Sequence, residues 1–301
     1  MLRWRLLLGV LFIAALLGIF WADWHFAKVG AIRPGRLVQP LAFFVAFLAM
    51  QELCDLAKDR VPGLSRMALI VGTVTIVIAA FEPNNNFLIA MFVCAVFLLM
   101  LREMYQYDKD VSKHVTERLA LGIFGLVYIG LFMAFIVKLW TSPFGPVALA
   151  SMLVVVKLGD TGAYTVGRLI GRHKLCPKLS PGKTIEGLGG AVLFSCLGAF
   201  VIGHFWSPPF WPEGPASPYP GSDPYWPQMR CWLIYGATLS LVGAAGDLVE
   251  SMLKRDFGVK DSSTWMPGFG GVLDLIDSPL VAAPVAWMMW ESGLLGVVAG
   301  Q

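Results

Sequence analysis

An all-α, polytopic integral membrane protein of about nine transmembrane helices is the fold this sequence predicts, on three observations. Hydrophobic residues make up 57% of the chain against 14% charged, and the mean hydropathy is +0.68, outside the range of ordinary soluble domains. Long apolar segments recur at 4–22, 37–53, 67–81, 87–101, 119–138, 146–167, 188–206, 231–252 and 272–297. Most approach the ~20 residues that cross a ~30 Å hydrocarbon core, and their unbroken character favours helices over the alternating strands of a barrel. Finally, Lys and Arg concentrate in alternate connections.

In chain order, segment 4–22 opens with Arg3 and Arg5 at its N-terminal edge, as a signal peptide would. Trp21, Trp24 and Phe26 occupy the zone of a small-x-small cleavage site, so a retained anchor is expected, its aromatics in the interfacial belt. Segment 37–53 closes on MQELCDLAK, where Glu52 reads as an interfacial carboxylate. Segments 67–81 and 87–101 are short, and the first five spans are poor in central polar residues. Residues 1–145 are therefore expected to form a scaffold, lipid pocket or dimer surface, and 146–301 a catalytic region with cytoplasmic motif loops. The stretch SPPFWPEGPASPYPGSDPYW, ending at Trp226, is too Pro-rich to be helical throughout. It reads as an extracytoplasmic linker with its aromatics on the headgroups. No internal or inverted repeat is evident.

Lys58, Arg60 and Arg66 lie in one connection, and Arg102, Lys109, Lys113 and Arg118 in another. Arg168, Arg172, Lys174, Lys178 and Lys183 crowd a third; Lys254, Arg255 and Lys260 a fourth. The connections around Asn84 and Ser142 carry almost none. The positive-inside rule then puts the N-terminus inside a cell (inner) membrane and the C-terminus outside, with Lys28, Arg33 and Arg36 the one exception. The net charge of +3 says little about nucleic acid, and none is expected as a partner. The five cysteines show no CxxC spacing and are expected to act as small buried hydrophobes; His173 with Cys176 is at most half a metal site.

Three polar clusters interrupt the apolar background, where ionisable groups are costly and usually functional. In the first, Lys157 precedes Asp160-Thr161-Gly162, and Asp160, Tyr164 and Arg168 recur every four residues on one helical face. Asp160 either serves a ligand or pairs with Lys157. The second, Ser180-Pro181-Gly182-Lys183-Thr184-Ile185-Glu186, contains GKT but not a P-loop, because Pro177 stands where the earlier glycine belongs and no strand precedes it. A Ser-Pro-Gly turn feeding a helix N-terminus can still offer N–H groups, a hydroxyl and Lys183 to a phosphate; a basic loop near anionic lipid is the plainer reading.

The third cluster places Asp247, Glu250, Ser251 and Lys254 on one helical stripe, followed by Arg255, Lys260 and Asp261. Gly270-Gly271 would permit backbone close to a ligand, and Asp274 and Asp277 share a face just inside the last span. Paired acids there call for a cation, and hard carboxylate oxygens favour Mg²⁺ bridging substrate phosphates. Salt bridges to Lys254 or Lys260 are the alternative.

The run GDLVESMLKRDFGVKDSSTWMPGFGGVLDLIDS resembles the signature of phosphatidate cytidylyltransferases (CDP-diacylglycerol synthases). DTGAYTVGRLIGRHKLCPKLSPGKTIEGLGG is similar to that family's upstream motif, and together the two cover residues 150 to 280. Phe269 stands where the family has His and Leu275 where it has Arg, so the roles of those two groups do not carry over. The resemblance implies transfer of a cytidylyl group from CTP to phosphatidate, giving CDP-diacylglycerol and pyrophosphate. It implies metal ligation by Asp247, Asp274 and Asp277 with Asp160, and a phosphate clamp of Lys183, Lys254, Arg255 and Lys260. Ser180 and Ser251 are then phosphate or metal contacts rather than nucleophiles, since no His base accompanies either. A homodimer is a further expectation. A CTP-dependent polyprenol kinase or an ether-lipid cytidylyltransferase would use similar parts; a transporter is the non-enzyme alternative. The D-x-x-D-G-x-x-A-R pattern of alcohol phosphotransferases is absent.

Overall fold

A computed structural model describes residues 2–109, 114–206, 225–263 and 270–295. A helix underlies each apolar segment read from the sequence, although the last ends at Glu291, short of the expected 297: α1 (Leu2–Lys28), α2 (Gln39–Ala57), α3 (Arg66–Ala80), α4 (Asn85–Lys109), α5 (Val115–Thr141), α6 (Gly145–Ile170), α7 (Ile185–Trp206), α8 (Tyr225–Asp256) and α9 (Val272–Glu291). Seven of them, α2 and α4–α9, are long and apolar enough to cross a membrane. The protein is a multi-pass membrane protein. Helix α3 has 15 residues; at ~1.5 Å per residue it falls short of a ~30 Å core. Helix α5 contains a π-helical turn at Leu126–Leu131.

Local chemistry sets several boundaries. Ser65 Oγ accepts from Ala68 N (3.3 Å) at the start of α3, and Thr184 Oγ1 from Gly187 N (3.0 Å) at the start of α7. Helix α9 begins at the extended Gly271. Where a turn was expected, the SPGKT segment is instead a short strand, β2 (Ser180–Thr184), paired antiparallel with β1 (Lys174–Cys176). Local turn propensity yields to the ladder that Lys174–Cys176 supplies, and the hairpin runs directly into α7. The Pro-rich reading falls almost wholly on 207–224, outside the described residues; Tyr225 and Trp226 begin α8.

Two apolar cores hold the bundle. One joins α2–α5 to Val272, Leu273 and Leu280 of α9; the other joins the end of α5, α6 and α8 to Ala282, Ala283 and Ala286. Both cores thus mix residues from before and after residue 145. Small residues set the closest crossings: a Cβ on Gly162 would lie 2.5 Å from Gly190 O, locking α6 to α7. The cysteines are free, but only Cys54 is buried; Cys94 is exposed on α4 and the others are intermediate, contrary to the expectation of buried packing. On a spanning helix an exposed thiol faces lipid, where it incurs little desolvation.

Side-chain contacts tie alternate helix ends together. At one end Arg66 pairs with Asp55, Arg118 with Glu103, Arg60 with Asp256 and Lys183 with Asp247. At the other, Asp23 accepts from Gly35 N (2.7 Å), Leu37 N (2.6 Å) and Trp140 Nε1 (2.9 Å), and Lys138 donates to Glu82 O. The candidate residues lie at the first end.

Candidate active site

The site is built where α8 meets α9, and glycines let them meet. A Cβ on Gly246 would stand 2.9 Å from Asp277 O and 3.0 Å from Val281 Cβ, so the backbones approach side by side there. That approach brings together Asp247, Glu250 and Asp277, each offering a carboxylate oxygen within 4.8 Å of the others. Asp277 is buried and its Oδ1 accepts Ser278 N at 2.6 Å. Glu250 is buried too, and its Oε1 finds no donor among the described residues.

Two lysines face these acids. Lys183, from β2, places its ammonium 2.8 Å from Asp247 Oδ2, so the hairpin forms a wall beside α8. Lys254 bridges Glu250 Oε2 (2.6 Å) and Asp274 Oδ1 (2.5 Å). Ser251 Oγ donates to Asp247 Oδ1 at 3.3 Å. Asp274 is not part of the three-acid group. Its Oδ2 accepts from Ser262 N (2.9 Å), Ser262 Oγ (2.7 Å) and Gly271 N (2.8 Å), closing the first turn of α9.

The double glycine is crowded by protein. Gly270 has φ +80° and its Cβ would fall 2.4 Å from Asp274 Oδ2; a Cβ on Gly271 would fall 2.3 Å from Glu52 Oε2. Glu52, read from the sequence as an interfacial carboxylate, is buried and accepts from Val272 N and Leu273 N, both at 2.8 Å, and from Ser262 Oγ at 3.0 Å. With Glu52 counted, five carboxylates meet two ammonium groups in this region. Such an excess of negative charge at a membrane-embedded helix junction calls for cations.

The other predicted residues divide. Asp160 pairs with Lys157 Nζ at 3.0 Å, and Tyr164 OH accepts from Arg168 at 2.7 Å, both on the exposed face of α6. Thr184 is buried as the cap of α7, while Glu186 holds the 172–173 backbone and His173 Nδ1 at 2.6 Å. Gly182 is open, with nothing within 4 Å of a built Cβ, and Ser180 is half-buried beside it in the strand. Arg255, Lys260 and Asp261 are exposed, with no salt bridge to another described residue. Leu275 is half-buried on α9; Phe269 lies outside the described residues. Glu250 shares the stripe of Asp247 and Lys254, and spacing alone could have nominated it. Glu52 carried no such signal, its partners lying up to 221 residues away.

A helix bundle presenting carboxylates and lysines at one end defines a polytopic membrane protein with a site suited to cations and phosphates. The chain belongs to the cytidylyltransferase family, whose model matches residues 4–292, and it is an enzyme of the nucleotidyltransferase class. It is 31% identical over 265 residues to a phosphatidate cytidylyltransferase of Staphylococcus epidermidis, covering 84% of this chain and 90% of the relative. It is 32% identical over 258 residues to one of Staphylococcus haemolyticus (83% and 88% covered). It is 29% identical over 254 residues to the uncharacterized protein YnbB of Escherichia coli (81% and 76% covered).

Proposed function

We propose that this protein transfers the cytidylyl group of CTP to phosphatidate, forming CDP-diacylglycerol and pyrophosphate for phospholipid synthesis. The observation that carries the site assignment is the meeting of Asp247, Glu250 and Asp277 beside Lys183 and Lys254. The names of the staphylococcal relatives support the substrates.

The residues fit Mg²⁺: three hard carboxylate oxygens cluster within 4.8 Å, and a buried Glu250 oxygen lacks a donor among the described residues. Asp247, Glu250 and Asp277 would hold the ion; Asp274 and Asp160 lie outside that group, engaged by Lys254 and Lys157. Bound there, Mg²⁺ would offset phosphate charge and steady the leaving pyrophosphate.

Chemically, an oxygen of the lipid phosphate attacks the α-phosphorus of CTP as the α–β bond breaks and pyrophosphate takes the electron pair. Already ionised, the lipid phosphate needs no strong general base. Lys183 stands on the hairpin that faces Asp247 and would clamp the triphosphate as it enters. Arg255 and Lys260 are exposed and would bind the outer phosphates or the headgroup. Ser180 and Ser251 would add hydroxyl contacts. Lys254 fixes Glu250 relative to Asp274 and so keeps the acids oriented.

The reading places the site on the cytoplasmic side of the inner membrane, where CTP is found, supported by the Lys- and Arg-rich connections at that end of the bundle. It assigns residues 1–145 chiefly to a scaffold, lipid pocket or dimer surface, and 146–301 to catalysis; nucleic acid has no part in it. Detergent-purified protein given CTP, Mg²⁺ and phosphatidate should release pyrophosphate, and Asp277→Asn should not. Equal release by the two would overturn the assignment, and release with polyprenol in place of phosphatidate would redirect the lipid substrate.

A further inference from the structure

We infer that Glu52, on the second helix and outside both sequence motifs, is a positioning residue that sets the geometry of the carboxylate cluster. The inference rests on the reading of Asp247, Glu250 and Asp277 as the metal site.

A helix N-terminus leaves its first N–H groups without intrahelical partners. In α9 the protein supplies its own anions: Asp274 takes Gly271 N, and Glu52 takes Val272 N and Leu273 N, one on each carboxylate oxygen. Two N–H bonds from successive residues to two oxygens of one carboxylate fix both the height and the rotation of the helix start. Asp277 follows less than two turns later. At about 100° per residue, a one-residue slip at this anchor would swing Asp277 away from Asp247 and Glu250. The Ser262 hydroxyl has one proton and two acceptors, Glu52 at 3.0 Å and Asp274 at 2.7 Å, so the backbone bonds carry the anchor.

Glu52 also accounts for a part of the motif that reads otherwise as a ligand cradle. At Gly271 φ is −104° and ψ −179°, an extended conformation open to any residue. What demands glycine is space, because a Cβ would meet Ser262 Oγ at 2.1 Å and Glu52 Oε2 at 2.3 Å. The double glycine therefore admits a carboxylate from the N-terminal half of the chain. Orientation by such supporting groups is typically worth ten- to a hundredfold in metal affinity or turnover, roughly what small misplacements cost.

The test uses full-length protein in detergent, with Mn²⁺ binding followed by electron paramagnetic resonance alongside melting curves and steady-state kinetics. Glu52→Gln keeps the shape but turns an NH₂ toward an N–H donor. It should weaken Mn²⁺ binding and lower kcat by about tenfold or more, with KM for phosphatidate unchanged. Val272→Pro is the second variant: proline suits the first helical position, Gly271 already has the extended backbone a pre-proline residue needs, and one N–H to Glu52 is lost. It should weaken Mn²⁺ binding by about two- to tenfold. Wild-type Mn²⁺ affinity in folded Glu52→Gln, or in Val272→Pro if the first does not fold, overturns the inference, even where melting falls. Asp277→Asn separates the two layers: if it binds Mn²⁺ like wild type, the metal assignment fails instead.

Discussion

Lys183 reaches from a two-stranded hairpin to Asp247 on α8, 2.8 Å between ammonium and carboxylate, and so joins the two polar motifs of the chain into one site. The pair is partly open to solvent, with 23% and 38% of the side chains exposed. Lys183→Met should therefore change stability by less than about 1 kcal/mol. Its kcat/KM for CTP should fall by about a hundredfold, the usual loss when a charge aimed at a developing phosphate anion is removed. Pyrophosphate release and a melting curve on the same sample check both halves.

Asp277 and Asp274 should respond in opposite ways to loss of charge. Without a cation, Asp277 lies against the like charge of Asp247, so Asp277→Asn should abolish turnover while metal-free melting holds or rises. Asp274 instead accepts from Lys254, Ser262 and Gly271, so Asp274→Asn should cost about 1–3 kcal/mol of stability as well as activity. Calorimetry in chelator separates the two.

Chelation should stop turnover and Mg²⁺ restore it. Saturating Mg²⁺ should also raise the melting midpoint, by about 2.7 kcal/mol of stability at a hundred times its Kd. Asp277→Asn should show no such rise.

The legible part of this protein was its chemistry against an apolar background. Asp247, Lys254, Asp274 and Asp277 stand out because charge is rare in spanning segments, and a 3.6-residue period groups them correctly by helix. That period does not say which of the two acids on α9 joins Asp247 and Glu250 and which meets Lys254. Rotation of the helix decides it, and rotation is fixed by Glu52 and Gly246, neither of which announces its partner. SPGKT reads as a turn because Ser, Pro and Gly dominate it, but its strand form depends on Lys174–Cys176 coming back alongside. The glycines beside Asp160, Gly159 and Gly162, admit α7, because a Cβ there would meet Ser195 Oγ at 2.6 Å and Gly190 O at 2.5 Å.

Away from the site, Arg118 and Glu103 form an almost fully buried pair, 2.7 Å apart with 2% and 1% of their side chains exposed. Arg118→Met should destabilise the protein by about 3 kcal/mol, the low end for breaking a buried pair, because Arg102 still serves the other Glu103 oxygen. Replacing Glu103 as well, by Leu, should recover most of that loss. Turnover per folded molecule should stay at the wild-type level.

Orientation has a direct readout. With native cysteines replaced, Lys178→Cys at the hairpin and Asn85→Cys at the start of α4 should label from opposite sides of sealed inner-membrane vesicles, Lys178→Cys from the cytoplasmic face. Both positions are exposed. Labelling of both from one face would contradict the topology.

Gly246 and Gly271 carry no functional group, yet each marks where two parts of the chain come within 3 Å of a would-be Cβ. At Gly246 the bare backbone admits the backbone of α9, and at Gly271 it admits the side chains of Ser262 and Glu52. Anyone grafting this carboxylate triad onto a different pair of helices would have to transplant the missing methyl groups before the acids. A scaffold with alanine at those two places would hold every charged residue in its sequence and push apart the segments that carry them.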